Sequence, residues 1–525
     1  MSKNLGLLLV CSQPYVRHIE DAAQHEEENR LLFDAISNVY LPLLNALNAL
    51  DGEGVSFSVS MVIPPVLATL LLDPEIQEQY LAYVEKRIIL GGREVERLSG
   101  DERLLLNARR ELAKARQDKE DFSVRYKGNL VLAFAELSRK GRVELLATTG
   151  TDAYLPHYCD MTEIVNAQVE TGLFSFRKTF NEFPAGFYLP HLGYERGLDE
   201  VLKSYNMHYT VLSAKSLLFS SSAHGRGVFY PYRFADSTLS FLADDFDSDE
   251  EIARFAENAV YKNSARDIGY EIPSGALSDL IGAGGVRVST GFRYWTKGDD
   301  VYDEERALRQ AEIDARIFLK GKNERLSRAA ELLDDDVSLV SVIPLEKLRV
   351  GWVEGVRFVE SVLRLAGEFG IASEKCVSLT KKQFKMTRVQ PYACSGEGDV
   401  GDRLLDGTNA WLLRYSRKMC RRMIDISGRF PNERGLKVRL LNIGSRELLL
   451  SMSSALSMMI HDGSFAGYAE DVFQSCIRSF TIMYDALGSN TVSTEWLTSL
   501  EKKHPIFPWM NFRIFSPKNA LQKPE

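Results

Sequence analysis

The sequence predicts an α/β protein whose C-terminal part is helical, and three observations carry that prediction. Leu7 to Cys11 is apolar without alternation, as in a strand covered on both faces of a parallel sheet. Strand-like and helix-like stretches alternate over the first 375 residues. Beyond residue 375 the apolar positions follow a helical period. A chain of 525 residues is too long for one compact core, so two or three packed units are expected.

The elements follow in order. The first strand runs into Ser12-Gln13-Pro14-Tyr15-Val16-Arg17-His18. Glu26 to Leu50 is helical, with Leu32, Ile36, Val39, Tyr40 and Leu43 on one side. In the stretch from Val55 to Met61, Val55, Phe57, Val59 and Met61 alternate with Ser56, Ser58 and Ser60. That is a strand, and Pro64-Pro65 ends it. Pro74 to Asp121 is charged and helical, with Leu98, Leu105, Leu112 and Ala115 at about heptad spacing. An antiparallel helical insertion with a solvated charged face is expected there, and a coiled-coil partner surface is the alternative. Val143 to Thr148 is a strand opening Thr149-Gly150-Thr151-Asp152-Ala153-Tyr154-Leu155-Pro156. A further strand-like run ends at Leu189, where Pro190 stops it. Gly193 and Gly197 then allow a tight turn into an amphipathic helix, Leu198 to Tyr205. His208 to Leu212 is strand-like, Val228 to Leu242 reads as a β-meander, Glu304 to Leu319 as a helix, and Leu339 to Ile343 as the last strand of the alternating series.

The bulk properties exclude several functions. Hydrophobic residues make up 45% and charged residues 26%, an ordinary globular balance, and the net charge is −8. That balance disfavours nucleic acid and acidic membranes as partners. No apolar run approaches the roughly 18 residues of a membrane helix, and Leu7 to Cys11 lacks the features of a signal peptide. Cys11, Cys159, Cys376, Cys394, Cys420 and Cys476 are far apart with no Cys-x-x-Cys, the pattern of reduced thiols in a cytoplasmic protein. No metal and no cofactor are expected. Asp334-Asp335-Asp336 reads as a solvated loop. Gly282-Ala283-Gly284-Gly285, with no P-loop lysine after it, reads as a flexible loop. Nothing in the spacing makes His157, His191 and Asp152 a metal cluster.

The candidate site centres on Gly186-Phe187-Tyr188-Leu189-Pro190-His191-Leu192-Gly193-Tyr194. A polar residue at the C-terminal tip of a strand, just before a tight turn, is where barrel enzymes place their chemistry, and that residue is His191. The stretch resembles the signature of glycoside hydrolase family 57, in particular its α-1,4-glucan branching enzymes. That signature reads Gly-Phe-Trp-Leu-Pro-Glu-Cys-Gly-Tyr, with the glutamate as catalytic nucleophile. His191 stands at the glutamate. Pro14-Tyr15-Val16-Arg17-His18 resembles the end of the family's first motif, whose two earlier histidines fall on Val10 and Ser12. Thr149 to Pro156 resembles the second motif, whose histidine falls on Asp152. Pro344-Leu345-Glu346-Lys347-Leu348-Arg349-Val350-Gly351-Trp352-Val353-Glu354-Gly355 resembles the segment that carries the family's acid/base aspartate. Anchored on Trp352, Glu354 and Gly355, that aspartate falls on Pro344. Ser395-Gly396-Glu397-Gly398 resembles Ser-Trp-Gly-Glu, and a second cleft tryptophan falls on Leu404. The resemblance spans Leu7 to about Phe515.

What the resemblance implies is an incomplete parallel (β/α)7 barrel over residues 1–375, with the helical insertion at about 65–127, and an α-helical C-terminal domain over 376–525. It implies substrate-binding positions at Gln13, Tyr15, Asp152, Tyr194, Trp352, Glu397 and Trp411. It also implies an α-glucan as the ligand. The family's retaining transfer needs two carboxyl groups about 5–5.5 Å apart, one of them cycling between acid and base. Proline at 344 has no proton to give. The first reading is therefore a catalytically degenerate relative of the branching enzymes that acts through weak glucan binding. An active enzyme with a relocated acid/base, using Glu346 or Glu354 and His191, is the second. A protein-interaction module using the helical insertion is the third.

Overall fold

The computed structural model describes residues 1–220, 225–273, 287–381, 386–398, 401–489 and 491–517. The glycine-rich run 282–285 lies outside the described residues.

The first strand, β1 (Lys3–Val10), explains its own lack of alternation. Leu5, Leu7 and Leu9 join the outer core with the surrounding helices. Leu8 and Val10 point the other way, into a second core with Val62, Leu146, Tyr188, Tyr209, Val211, Leu242 and Val340. Side chains alternate across a strand, so a strand apolar at every position separates two apolar layers. The inner layer is the filling of a barrel.

Barrel closure follows from the register. β1 pairs in parallel with β8 (Val337–Pro344) from Lys3–Val337 to Val10–Pro344, and with β2 (Val59–Val62) from Leu8–Ser60 to Val10–Val62. β2 pairs with β3 (Val143–Leu146). β3 reaches β4 (Gly186–Tyr188) through Ala147, whose N–H donates to Gly186 O at 3.1 Å while its carbonyl accepts from Tyr188 N at 2.7 Å. β4 pairs in parallel with β5 (Tyr209–Leu212), and β5 with β7 (Ser240–Ala243). Between β7 and β8 the described residues share no paired register. The seam is bridged by one backbone bond, Asp245 N to Val340 O at 2.6 Å, and by Ser248 Oγ with Ser341 Oγ at 2.8 Å. The result is an incomplete (β/α)7 barrel. β6 (Tyr232–Phe234) lies antiparallel to β7, so the expected meander is one hairpin.

Two sequence expectations shift. The alternating run from Val55 enters the ladder only at Val59. Before that, Ser58 exchanges bonds with Ser373, Ser58 Oγ to Ser373 O at 2.9 Å and Ser373 Oγ to Ser58 O at 2.6 Å, so this part of the run borders β9 (Ala372–Ser373). The helix from Glu304 runs on to Leu333, where Asp334 turns left-handed at φ 46°. The acidic run after it is partly tied down: Asp336 Oδ1 accepts from Ser2 N at 2.6 Å and Asp335 pairs with Arg226 at 3.2 Å.

The charged helical stretch forms the antiparallel pair Pro74–Arg97 and Glu102–Glu120. Asp73 and Asp101 cap it, accepting from Glu75 N at 3.0 Å and Leu104 N at 3.1 Å. Leu98 and Ala115 of the heptad positions are buried. The pair docks on the barrel's long 262–302 segment through Lys262 Nζ–Glu111 Oε1 at 2.6 Å and Tyr294 Oη–Glu94 Oε2 at 3.1 Å.

After β8 the chain first completes the barrel floor, where Cys376 N donates to Ser60 Oγ at 2.9 Å and Val377 N to Glu144 Oε2 at 3.0 Å. It then enters helices Ala410–Arg429, Leu436–Ser451, Ser454–Asp462, Ala466–Ser489 and Thr494–Lys503. Leu436–Ser451 is buried on all faces from Ile443 onward and ties to the barrel by Thr151 Oγ1 donating to Leu449 O at 2.6 Å. None of the six cysteines is in a disulfide, and five of them are buried. Among the described residues no helix is long and apolar enough to cross a membrane.

Candidate active site

The C-terminal strand tips bring the candidate residues together. Past β1 comes Ser12, past β3 Asp152, past β4 His191, and past β8 Glu346. Opposite them stand Glu397, Arg403, Ser454 and Asp462. His191, Glu346, Glu397, Arg403, Arg30 and Asp34 are among the residues lining an open cleft of about 2000 Å³.

His191 sits in left-handed backbone, φ 57° and ψ 24°, and Leu192 follows at φ 52°. Such a conformation costs a non-glycine residue about 1–2 kcal/mol, so surrounding bonds must hold it. Gly396 N and Ser395 Oγ both donate to the His191 carbonyl, at 2.8 and 3.1 Å. The ring is held as firmly. Nε2 lies 2.8 Å from Ser454 Oγ, and Ser454 Oγ lies 2.7 Å from the carbonyl of Asp152. A serine hydroxyl has one proton, and a carbonyl can only accept. Ser454 therefore spends its proton on Asp152, and Nε2 of His191 must be the donor to Ser454. On the other side, Nδ1 faces Glu397 Oε1 at 3.6 Å.

The electrostatics follow from this placement. Burial opposes charge on His191, but Glu397, Asp152 and Glu346 outweigh it and raise its pKa above the ordinary histidine value. Contact with His191 holds the Glu397 carboxyl down at about 2 against its burial, helped by Arg403 at 3.0 Å. Arg403 continues to Asp462 at 2.7 Å, so an ion chain runs from the barrel to the C-terminal helices. Burial raises the Asp152 carboxyl, which accepts from Ser12 Oγ at 3.1 Å. Glu346 is walled in by the cleft although water reaches its side chain. That crowding raises its pKa, and the negative Asp152 adds to the shift.

Pro344 ends β8 opposite Val10, and its successor Leu345 N donates to Val10 O at 2.8 Å. Glu354 is 3% exposed, and its Oε1 accepts from Lys262 N at 3.1 Å, which turns it away from the cleft. Of the substrate-binding positions that the resemblance implies, Glu397 lines the cleft. Asp152 sits below it, touching Ser12 and Ser454. Gln13 is buried and its amide has no protein partner. Tyr15 packs edge-on against His504 in a separate cavity beside the C-terminal helices. The Tyr194 hydroxyl donates to Asp199 at 3.1 Å, Trp352 packs against Tyr261 and Phe358, and Trp411 lies edge-on to Phe473. The family's two cleft tryptophan positions, Ser395 and Leu404, are 1% and 2% exposed.

Two residues escaped the sequence reading. Asp244 follows β7, accepts from Ala214 N at 2.5 Å, and is pushed by burial up to about 7. Its place just past an apolar strand was the available signal. Ser454 gave no signal, because it meets His191 only through the docking of the C-terminal helices.

Comparison with known proteins agrees with this architecture. Residues 12–255 match the family model of glycosyl hydrolase family 57, and residues 415–515 match that of the 1,4-alpha-glucan branching enzyme C-terminal region. The 1,4-alpha-glucan branching enzyme TK1436 of Thermococcus kodakarensis is 22% identical over 499 residues, covering 90% of this chain and 71% of that protein. The crystal structure of the alpha-amylase AmyC from Thermotoga maritima superposes with a TM-score of 0.90 at 28% identity, covering 98% of this chain and 99% of that one. The branching enzyme from Pyrococcus horikoshii gives a TM-score of 0.87 at 20% identity, covering 99% and 98%, a likeness of fold. Barrel, C-terminal helices and both family models point one way: the chain is similar to glycosyl hydrolase family 57 over residues 12–255 and to the C-terminal region of the 1,4-alpha-glucan branching enzymes over residues 415–515.

Proposed function

We propose that the protein binds α-1,4-glucan in this cleft and no longer transfers it. The observation that carries this reading is the state of His191. It stands at the family's nucleophile position with Nε2–H committed to Ser454 and Nδ1 facing Glu397. Attack on an anomeric carbon needs a free lone pair aimed at it, and neither nitrogen offers one. The raised pKa of His191 adds to this. Glycosyl transfer passes through an oxocarbenium-like state, and a positive imidazolium beside that carbon repels the charge that must develop. Pro344 at the acid/base position supplies no proton. Sugars stack their C–H faces on aromatic rings, so the buried Ser395 and Leu404 at the tryptophan positions support weak binding. The test is to incubate the full chain with amylose and analyse the product for α-1,6 branches, alongside calorimetric titration with maltooligosaccharides. Saturable binding without new branches is expected, and branch formation overturns the proposal.

One observation favours a second reading. Glu346 and Glu397 line the same cleft with their pKa values pushed apart, one up and one down to about 2. Such a split marks many acid–base pairs. A carboxylate at about 2 is a feeble base near neutral pH, which is why binding is preferred. Reducing-sugar release from maltooligosaccharides that vanishes in Glu346→Gln would favour this second reading.

A further inference from the structure

The bend between β1 and helix Glu26–Ala35 gathers two histidines and an aspartate. His18 Nδ1 lies 3.2 Å from Asp21 Oδ1, and His25 Nε2 lies 3.4 Å from Asp21 Oδ2. Each of the three residues offers a ligand atom, all within 4.8 Å of one another. Neighbouring ligands on a tetrahedral ion with bonds of about 2.0–2.2 Å stand about 3.3–3.6 Å apart, close to the two histidine–aspartate distances here. The far side of each ring is also occupied. Tyr468 Oη is 3.1 Å from His18 Nε2, and Glu28 Oε2 is 3.7 Å from the buried His25 Nδ1, which has no hydrogen bond. At His18 the second nitrogen is used as a metal-bound imidazole uses it, holding the ring's orientation and strengthening the donor. The two rings stack at 3.7 Å with 22° between their planes, so holding one ion in both ring planes requires one ring to turn out of the stack. The three side chains keep 13%, 46% and 28% exposure, which leaves an entry path.

We propose that His18, Asp21 and His25 bind one divalent transition-metal ion of the zinc class, with water completing the coordination. Two imidazoles and one carboxylate suit zinc, cobalt, nickel or copper, whereas calcium and magnesium favour all-oxygen shells. The ion braces the cleft's edge. Glu27 and Arg30, just past the bend, line the cleft, and Tyr468 belongs to helix Ala466–Ser489. None of this depends on glucan binding.

The chelator-treated full chain, kept reduced, is titrated with ZnCl2 by calorimetry and with CoCl2 by absorption. One equivalent should bind, and the cobalt spectrum should show d–d bands without thiolate charge transfer. X-ray absorption on the zinc-loaded, unmutated chain reads the ligands directly and should give nitrogen and oxygen only. His25→Gln and Asp21→Asn should abolish saturable binding, and Tyr468→Phe should weaken it by about tenfold or more. Absence of saturable binding, a thiolate band, or binding unchanged in a folded His18→Gln/His25→Gln variant overturns the proposal.

Discussion

At the scale of single residues, one proton decides the character of the site. Ser454 gives its hydrogen to Asp152, so His191 gives one to Ser454. A pH dependence follows. A histidine whose folded pKa is raised contributes stability that is fully present below its unfolded value of about 6.5. The contribution is lost as pH rises through the higher folded value. Glu397, held at about 2, stays ionised throughout that window. His191→Gln should therefore lower the thermal midpoint most in mild acid, by on the order of 1 kcal/mol in stability. The deficit should shrink toward alkaline pH, which differential scanning fluorimetry across a pH series measures. A second prediction belongs to the proposed loss of transfer. His191→Glu or Pro344→Asp alone should leave amylose unbranched, whereas the two together should yield detectable transfer, because each restores only half of the acid–nucleophile pair. That His191 follows one strand and Pro344 ends another was legible in the sequence, because an apolar run stops at each. Their surroundings were not: Ser454 is 263 residues from His191, and no local pattern announces that meeting.

At the scale of elements, local periodicity was a good guide wherever a layer of core lay on each side. β1 was readable as a doubly buried strand for that reason. The run Val55–Met61 misled at its start because alternation reports half-burial, and the segment before Val59 meets β9 instead of joining β3. Close packing of helix on strand gives a sharper prediction. Helix Thr162–Phe180 crosses the end of β3 at Gly172, where an added Cβ would fall 1.8 Å from the carbonyl oxygen of Thr148. Backbone cannot yield as a side chain can, so Gly172→Ala should destabilise by about 3 kcal/mol, read from urea unfolding. The charged insertion looked like a free surface helix pair in sequence. Its bonds to Lys262 and Tyr294 join residues up to 200 apart, which periodicity does not encode.

At the scale of the whole molecule, the barrel closes by side chains where its ladder fails. Lys322, 0% exposed, bonds Asp245 at 2.6 Å, and Arg325 reaches the same carboxylate at 2.5 Å, beside the one backbone bond from β7 to β8. Lys322→Met leaves the buried Asp245 with Arg325 and the Ser248 hydroxyl, strips Glu251 of the same ammonium, and should cost about 3 kcal/mol, measurable by denaturant unfolding. None of this was legible from the chain, since Lys322 lies past the helix predicted over Glu304 to Leu319 and reads as one more charge. The weak junction also gives the molecule a direction of opening. Amides on the near edge of β8 should exchange with deuterium earlier than those of β1, which neighbours grip on both sides. A closed ring of strands has no preferred place to part. This one has a hasp, and a protease or a chaperone pulling on the folded chain would find it first there.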